Sequence, residues 1–186
     1  MGSKQSTEQK RADKTVVFIG HRSGKTCLIQ RFVEEKYIPQ YSKNEIECYS
    51  KEITLGDKVL SLEIIETSGD DADAQPRYRR IQEANLFFLV FAITSRPSYS
   101  CLPQFLREIK QIQKQEEKDP TIILVGNKTD LEEERQISYE EALEFAEKEE
   151  IPYIEVSAKS GDGVEDMYDS LIRGGAVNRK NVKRAR

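Results

Sequence analysis

The sequence predicts one α/β domain built on a mostly parallel sheet with helices on both faces. Three observations lead there. Short β-branched or continuous apolar runs recur at Lys14–Ile19, Asn85–Ile93 and Thr121–Val125, the pattern of strands buried on two faces. Stretches with apolar residues at helical spacing separate them. A single hairpin signal, Gly56-Asp57 between two alternating runs, accounts for one antiparallel pair, although it reverses the favoured Asp-Gly order.

The elements follow in order. Residues 1–13, MGSKQSTEQKRAD, are polar and aperiodic and read as a flexible lead. Lys14–Ile19 is the first strand, ending at Gly20. From Lys25 onward Leu28, Ile29, Phe32 and Val33 mark a helix. Glu45–Leu55 and Lys58–Glu66 form the hairpin, and Asn85–Ile93 is a buried strand. Tyr99–Gln115 carries Leu102, Phe105, Leu106, Ile109 and Ile112 on one stripe, with Pro103 tolerated in its first turn. After the strand Thr121–Val125, Ser138 caps a helix reaching about Lys148. Ile154–Val156 is the last strand and Val164–Arg173 the last helix. Gly174-Gly175 interrupts that helix at about 1 kcal/mol per glycine, leaving 174–186 as a flexible tail.

Composition narrows the class. The chain has 186 residues, 37% apolar and 33% charged, enough for one core of about 150 residues. No window approaches 18 apolar residues and no apolar segment opens the chain, which argues against a membrane-spanning helix and a secretory signal. Cys27, Cys48 and Cys101 are odd in number and share no short spacing, so the expectation is a reducing, cytoplasmic setting rather than disulfides or zinc. His21 is the only histidine, which excludes sites built on several. Net charge is −4, yet residues 173–186 hold six basic residues and no acid. The acidic remainder argues against nucleic-acid binding, while the basic end suits an anionic surface or is simply a solvated terminus.

The first strand runs into Gly20-His21-Arg22-Ser23-Gly24-Lys25-Thr26 and then into a helix. Glycines let backbone N–H groups turn inward around a phosphate, and the helix N-terminus adds partial positive charge. A lysine reaches the terminal phosphates and a hydroxyl ligates Mg²⁺. The loop has three residues between Gly20 and Gly24-Lys25, where the standard motif has four. Either it is one residue short, or Ile19 serves as its first position. Farther along, Thr121–Val125 leads into Gly126-Asn127-Lys128-Thr129-Asp130, and the last strand ends in Ser157-Ala158-Lys159.

With these motifs in this order, residues 14–173 resemble the Ras superfamily of small GTPases. The blocks EIIETSG (Glu63–Gly69) and LFFLVFAI (Leu86–Ile93) fall at family spacing. The Ras branch fits best, and GHRSGKT and RQISYEEA are most similar to the Rheb subgroup. The resemblance implies the P-loop GTPase fold, with a six-stranded sheet, GTP and GDP as ligands, and Mg²⁺. It also implies nucleotide contacts from Gly20, His21, Arg22, Ser23, Gly24, Lys25, Thr26 and Cys27, and from Tyr37 and Gly69. On the base side it implies Asn127, Lys128, Asp130, Ser157, Ala158 and Lys159. Asp130 can accept from the ring N–H and exocyclic amine of guanine, a donor pair that adenine lacks; an ATP-using kinase is therefore disfavoured. Asn127 would tie this loop to the phosphate loop, the Lys128 stem would pack on the base, and the Ala158 N–H would meet its carbonyl.

The catalytic pattern departs from the family at four places. Asn44 stands where a threonine ligates Mg²⁺, and Glu66 replaces an aspartate behind the metal, so the expected metal set is Thr26, Asn44 and Glu66. One extra methylene moves that carboxylate by about an ångström, which octahedral Mg²⁺ tolerates poorly. Asp70 replaces the glutamine that orients the attacking water in this family. It has no N–H to donate and repels phosphate oxygens. Losing such a donor costs about 3 kcal/mol, on the order of a hundredfold in rate. The fourth change is the phosphate loop, where Arg22 stands near the apex as an internal arginine finger or simply as an exposed side chain. Asp70, Gly69 and Lys25 are the catalytic candidates, in a GTPase of low intrinsic turnover.

The expected role is that of a monomeric signalling switch. Tyr37–Glu47 and Gly69–Arg80 would be the switch segments, contacting effectors and regulatory proteins. The alternative is a pseudoGTPase that docks partners without a hydrolysis cycle. Met1-Gly2-Ser3-Lys4-Gln5-Ser6 matches the N-myristoylation pattern and equally an expression scar. One acyl chain needs a second signal to hold a membrane, and the basic tail could supply it. The final residues, Val182-Lys183-Arg184-Ala185-Arg186, contain no cysteine for prenylation.

Overall fold

A computed structural model of the chain describes residues 12–37, 48–55, 57–67, 69 and 74–172. Six strands form one sheet: β1 (Lys14–Ile19), β2 (Cys48–Leu55), β3 (Lys58–Glu66), β4 (Leu86–Ala92), β5 (Thr121–Asn127) and β6 (Tyr153–Val156). Their order across the sheet is β2-β3-β1-β4-β5-β6, with only the β2–β3 pair antiparallel. The helices are α1 (Lys25–Glu34), α2 (Ala74–Glu83), α3 (Arg96–Ser100), α4 (Leu102–Gln115), α5 (Tyr139–Lys148) and α6 (Val164–Ile172). A 3₁₀ turn occupies Thr129–Glu134.

All seven residues of β4 are buried, and their alternation explains the continuous apolar run. Leu86, Phe88 and Val90 pack on the face covered by α1 and α6, beside Leu28, Ile29, Met167 and Tyr168. Phe87, Leu89 and Phe91 pack on the opposite face, beside Ile81, Phe105, Leu106 and Ile109. Each such aromatic or aliphatic side chain contributes about 1.5–3 kcal/mol on burial.

The chain leaves β1 toward β2 and β3 on one side, and the later strands lie on the other. The carboxyl end of β1 is therefore the point where strand order reverses, the customary crevice for a ligand in such sheets. The residues after Ile19 sit there. Ile19 itself is fully buried and pairs with Leu89 of β4, so it belongs to the strand and the loop is one residue short.

Several boundaries differ from the sequence expectation. The helix expected over Tyr99–Gln115 is two helices broken at Cys101. Pro103 cannot donate to the Tyr99 carbonyl, and Ser95 caps the earlier helix by accepting from the Ser98 N–H. The helix α2 and the 3₁₀ turn were not anticipated. β5 extends two residues farther, to Asn127, and Ser138 caps α5 as expected, accepting from the Glu141 N–H at 3.1 Å. Asp13, placed in the lead by its composition, joins the sheet margin: its N–H donates to the Ser61 carbonyl and its carboxylate accepts from the Ser61 N–H. The positions 45–47 at the start of the expected hairpin lie outside the described residues.

Candidate functional site

The loop from Gly20 to Gly24 joins β1 to α1 in the crevice. A Cβ on Gly20 would lie 2.1 Å from the Val90 carbonyl oxygen, so only glycine lets the chain leave the sheet here. Gly24 has φ +80° and would drive a Cβ to 2.7 Å from Asn127 Nδ2. Arg22 also adopts a left-handed φ, +46°, at a cost of about 1–2 kcal/mol for a residue with a Cβ. Its side chain is exposed and Ser23 beneath is fully buried.

Lys25, 7% exposed, crosses the loop and donates to the Gly20 carbonyl at 2.8 Å. Thr26 follows in the first turn of α1, and its Oγ1 lies 2.8 and 2.7 Å from the two carboxylate oxygens of Glu66. Glu66 Oε1 is also 3.7 Å from Lys25 Nζ. Cys27, half-buried on the same turn, has its thiol pushed up by burial and then by the charge of Glu66. Gly69 abuts the loop from the other side: a Cβ there would meet the Gly20 oxygen and His21 Cα, each at 2.7 Å. Backbone from the 69 region thus rests on the loop itself.

The residues expected to meet the base gather at the ends of β5 and β6. Asn127, 1% exposed, donates from Nδ2 to the Ser23 carbonyl at 2.9 Å and accepts at Oδ1 from the Ala158 N–H at 3.2 Å. Asp130 Oδ1 accepts from Ser157 Oγ at 2.6 Å, and Lys159 Nζ stands 3.8 Å from its other oxygen. Lys128 adopts φ +74°, turning the chain so that Asp130 faces the Ser157 loop. Tyr37 is 37% exposed, three residues beyond the end of α1. Asn44 and Asp70 lie outside the described residues.

The Ras family model matches residues 14–176. The chain belongs to the Ras family. Among its relatives are Ras-like protein 1 of Saccharomyces cerevisiae, 34% identical over 173 residues, and Rab-30 of Homo sapiens, 36% identical over 163. Ral-B of Rattus norvegicus is 31% identical over 159 residues. These alignments cover 90%, 84% and 85% of this chain and 55%, 76% and 77% of the three relatives; the chain thus spans little more than half of the yeast protein. As a Ras-family member it is a small GTP-binding switch protein, of a class whose members generally hydrolyse GTP and contact effectors and regulators. Among the described residues no helix is long and apolar enough to cross a membrane.

Two arginines at this Ras-family site were missed from the sequence. Arg31 on α1 and Arg135 after the 3₁₀ turn both hold the segment around Ser157–Lys159. Arginines at helix ends are commonplace: Arg31 lies outside any motif, and Arg135 opens the RQISYEEA block, which points to a subgroup rather than to a site.

Proposed function

We propose that this Ras-family protein is a GTP/GDP switch with Mg²⁺ as cofactor and a slow intrinsic GTPase. The observation that carries it is the Asn127 amide, which spans the phosphate-loop carbonyl of Ser23 and the backbone N–H of Ala158. One side chain thereby sets the distance between a phosphate cradle and a base pocket. Asp130, held by Ser157, presents carboxylate oxygens that match the paired donors of guanine.

For the metal, Thr26 and Glu66 offer only oxygens, the donor type that Mg²⁺ prefers, and Asn44 would add an amide oxygen. Thr26, Glu66 and Asn44 would hold the ion, which would supply positive charge against the negative charge that develops during phosphoryl transfer. The chain's own part is binding and orientation. Lys25 brings a buried ammonium to the loop, and Gly69 keeps its backbone against it. Asp70 can accept from water but cannot donate to the transferring group, which leaves cleavage slow.

Gly2 acylation, together with the basic segment 173–186, would bring the switch to an anionic membrane; both lie outside the described residues. The two signals together meet the requirement for stable attachment. Sedimentation of the acylated chain with phosphatidylserine vesicles tests this, and no binding above neutral vesicles overturns it.

Boiling the purified protein and separating the released nucleotide by chromatography tests the central proposal, followed by hours of added GTP with Mg²⁺. Bound guanine nucleotide with slow phosphate release is the expected outcome. Retained GTP without turnover would overturn the GTPase activity and leave a switch set on until exchanged, and absence of nucleotide binding would overturn the proposal and leave the docking module.

A further inference from the structure

We infer that Arg31 and Arg135 are positioning residues for the guanine pocket, gripping the segment 155–161 from two sides and slowing nucleotide release; this rests on the guanine-nucleotide reading above. The need for such a grip follows from the topology. β6 is only four residues long and lies at the sheet edge, paired with β5 alone. The loop that presents Ala158 closes on itself, the Ser157 N–H donating to the Asp162 carbonyl at 3.0 Å and the Gly161 N–H to the Ser157 carbonyl at 2.8 Å, but it hangs from this short margin and takes its position from what holds it there.

Arg135 supplies the first tie. Its guanidinium takes both oxygens of Glu155 at 2.8 and 2.9 Å and both oxygens of Glu132 at 2.8 and 2.7 Å. The remaining N–H donates to the Ile137 carbonyl at 3.0 Å. All five donors of the fork are thereby engaged. Glu132 stands two residues after Asp130, and Glu155 two residues before Ser157. The side chain thus staples together the two strand ends that make the base pocket. It is 17% exposed, and Glu155 18%, so the pair is partly shielded from solvent. Tyr153 steadies Glu155 further by donating from its hydroxyl at 2.7 Å.

Arg31 supplies the second tie, from the opposite side. Its Nη2 donates to the carbonyls of Ser160 at 2.9 Å and Lys159 at 3.3 Å. Nη1 donates to the Glu35 carbonyl at the end of its own helix, at 3.3 Å. Gly161, at φ +90°, makes room for the guanidinium: a Cβ there would lie 2.9 Å from Nη2 and 3.0 Å from Nε. Because α1 begins at Lys25, this bond links the helix that carries the phosphate site to the loop that carries the base site.

A nucleotide leaves the pocket only when this loop gives way, and each tie adds to that cost. Both ties act on the base side, which GDP and GTP share. Release of the two nucleotides should consequently accelerate by the same factor when either arginine is lost. A defect on the phosphate side would separate them.

Dissociation of fluorescent GDP and of a fluorescent non-hydrolysable GTP analogue, measured on the full chain with Mg²⁺, tests this. Arg135→Ala should release both nucleotides about tenfold faster, the equivalent of one charge-assisted hydrogen-bond set. Arg135→Lys should not restore the wild-type rate, since an ammonium lacks the fork. Arg31→Ala should act in the same direction with a smaller factor, and Arg31→Lys should recover most of the loss. Should Arg135→Ala fail to fold, Glu132→Gln cuts the same staple at an exposed residue. Unchanged release rates in folded variants, or melting temperatures lowered with release unaffected, would overturn the inference alone. A factor that differs between GDP and the GTP analogue would also overturn it. A wild-type chain that binds neither nucleotide would overturn the guanine reading and this inference with it.

Discussion

Thr26 Oγ1 stands within 2.8 Å of both carboxylate oxygens of Glu66, across 40 residues of sequence. A hydroxyl has one proton to donate, so the two oxygens share it. The extra methylene of glutamate brings the carboxylate directly onto the hydroxyl that begins α1. Lys25, 3.7 Å from the same group, adds a positively charged partner.

Shortening this side chain should loosen that arrangement. Glu66→Asp is expected to raise Mg²⁺ affinity in the nucleotide complex by about tenfold, the low end for changes behind a metal ligand. Titrating Mg²⁺ against the GDP release rate gives the number. An unchanged midpoint would show that the methylene carries no consequence for the metal.

Asp70 offers a gain-of-function test. Asp70→Gln restores the residue type that the family resemblance implies for orienting the attacking water, and intrinsic hydrolysis should rise on the order of a hundredfold. Single-turnover phosphate release on GTP-loaded protein reads it directly. Equal rates for the two chains would place the limiting defect in the phosphate loop.

Gly69 should tolerate no side chain. Gly69→Ala sets a Cβ 2.7 Å from backbone atoms of both Gly20 and His21, none of which can move without shifting the loop. Affinity for a GTP analogue should fall by about tenfold or more, the scale of 1–3 kcal/mol of overpacking, while GDP binding falls less. Calorimetry with both nucleotides measures the difference. Equal losses for the two would contradict it.

Tyr168 is fully buried and its hydroxyl has no hydrogen-bond partner among the described residues. Burial pushes its ionisation well above the ordinary tyrosine value. Tyr168→Phe should stabilise the fold by about 1 kcal/mol, a rise of roughly 2–4 °C in melting temperature. A lower melting temperature would show that the hydroxyl is satisfied in solution.

The sequence announced the sheet well because β1, β4 and β5 are buried on both faces, and unbroken apolar runs have few other uses. The gathering of Asn127, Asp130 and Ser157 was legible through the GNKTD and SAK motifs at two strand ends, and the structure brings those two segments into contact. The sequence did not announce α2, whose apolar content is too low for a clear stripe. That helix is held instead by polar ties: Arg77, 2% exposed, bonds Glu108 of α4, and Gln113 donates to the Ala84 carbonyl at 2.8 Å. Such ties depend on a partner more than 25 residues away and leave no local period. The break at Cys101 was hidden for a related reason, since the apolar stripe begins within α4 and α3 is fixed by its serine cap. The loop length was ambiguous until the pairing of Ile19 with Leu89 placed it in the strand.

The two faces of the sheet close at different moments in the life of the chain. Helices α2 to α5 are contiguous in sequence with the strands they cover, so their side can pack while synthesis continues. The other side is roofed by α1 and α6, the first and last of the described helices, and Tyr168 of α6 rests against Phe18, Phe32 and Phe88. Until the ribosome has released residues 164–172, those aromatic rings have no cover from α6. A nascent chain with such a late-arriving roof presents sticky surface until α6 emerges. Chaperone engagement during synthesis, and aggregation of chains truncated before Val164, are the expected consequences of packing α1 and α6 on one face.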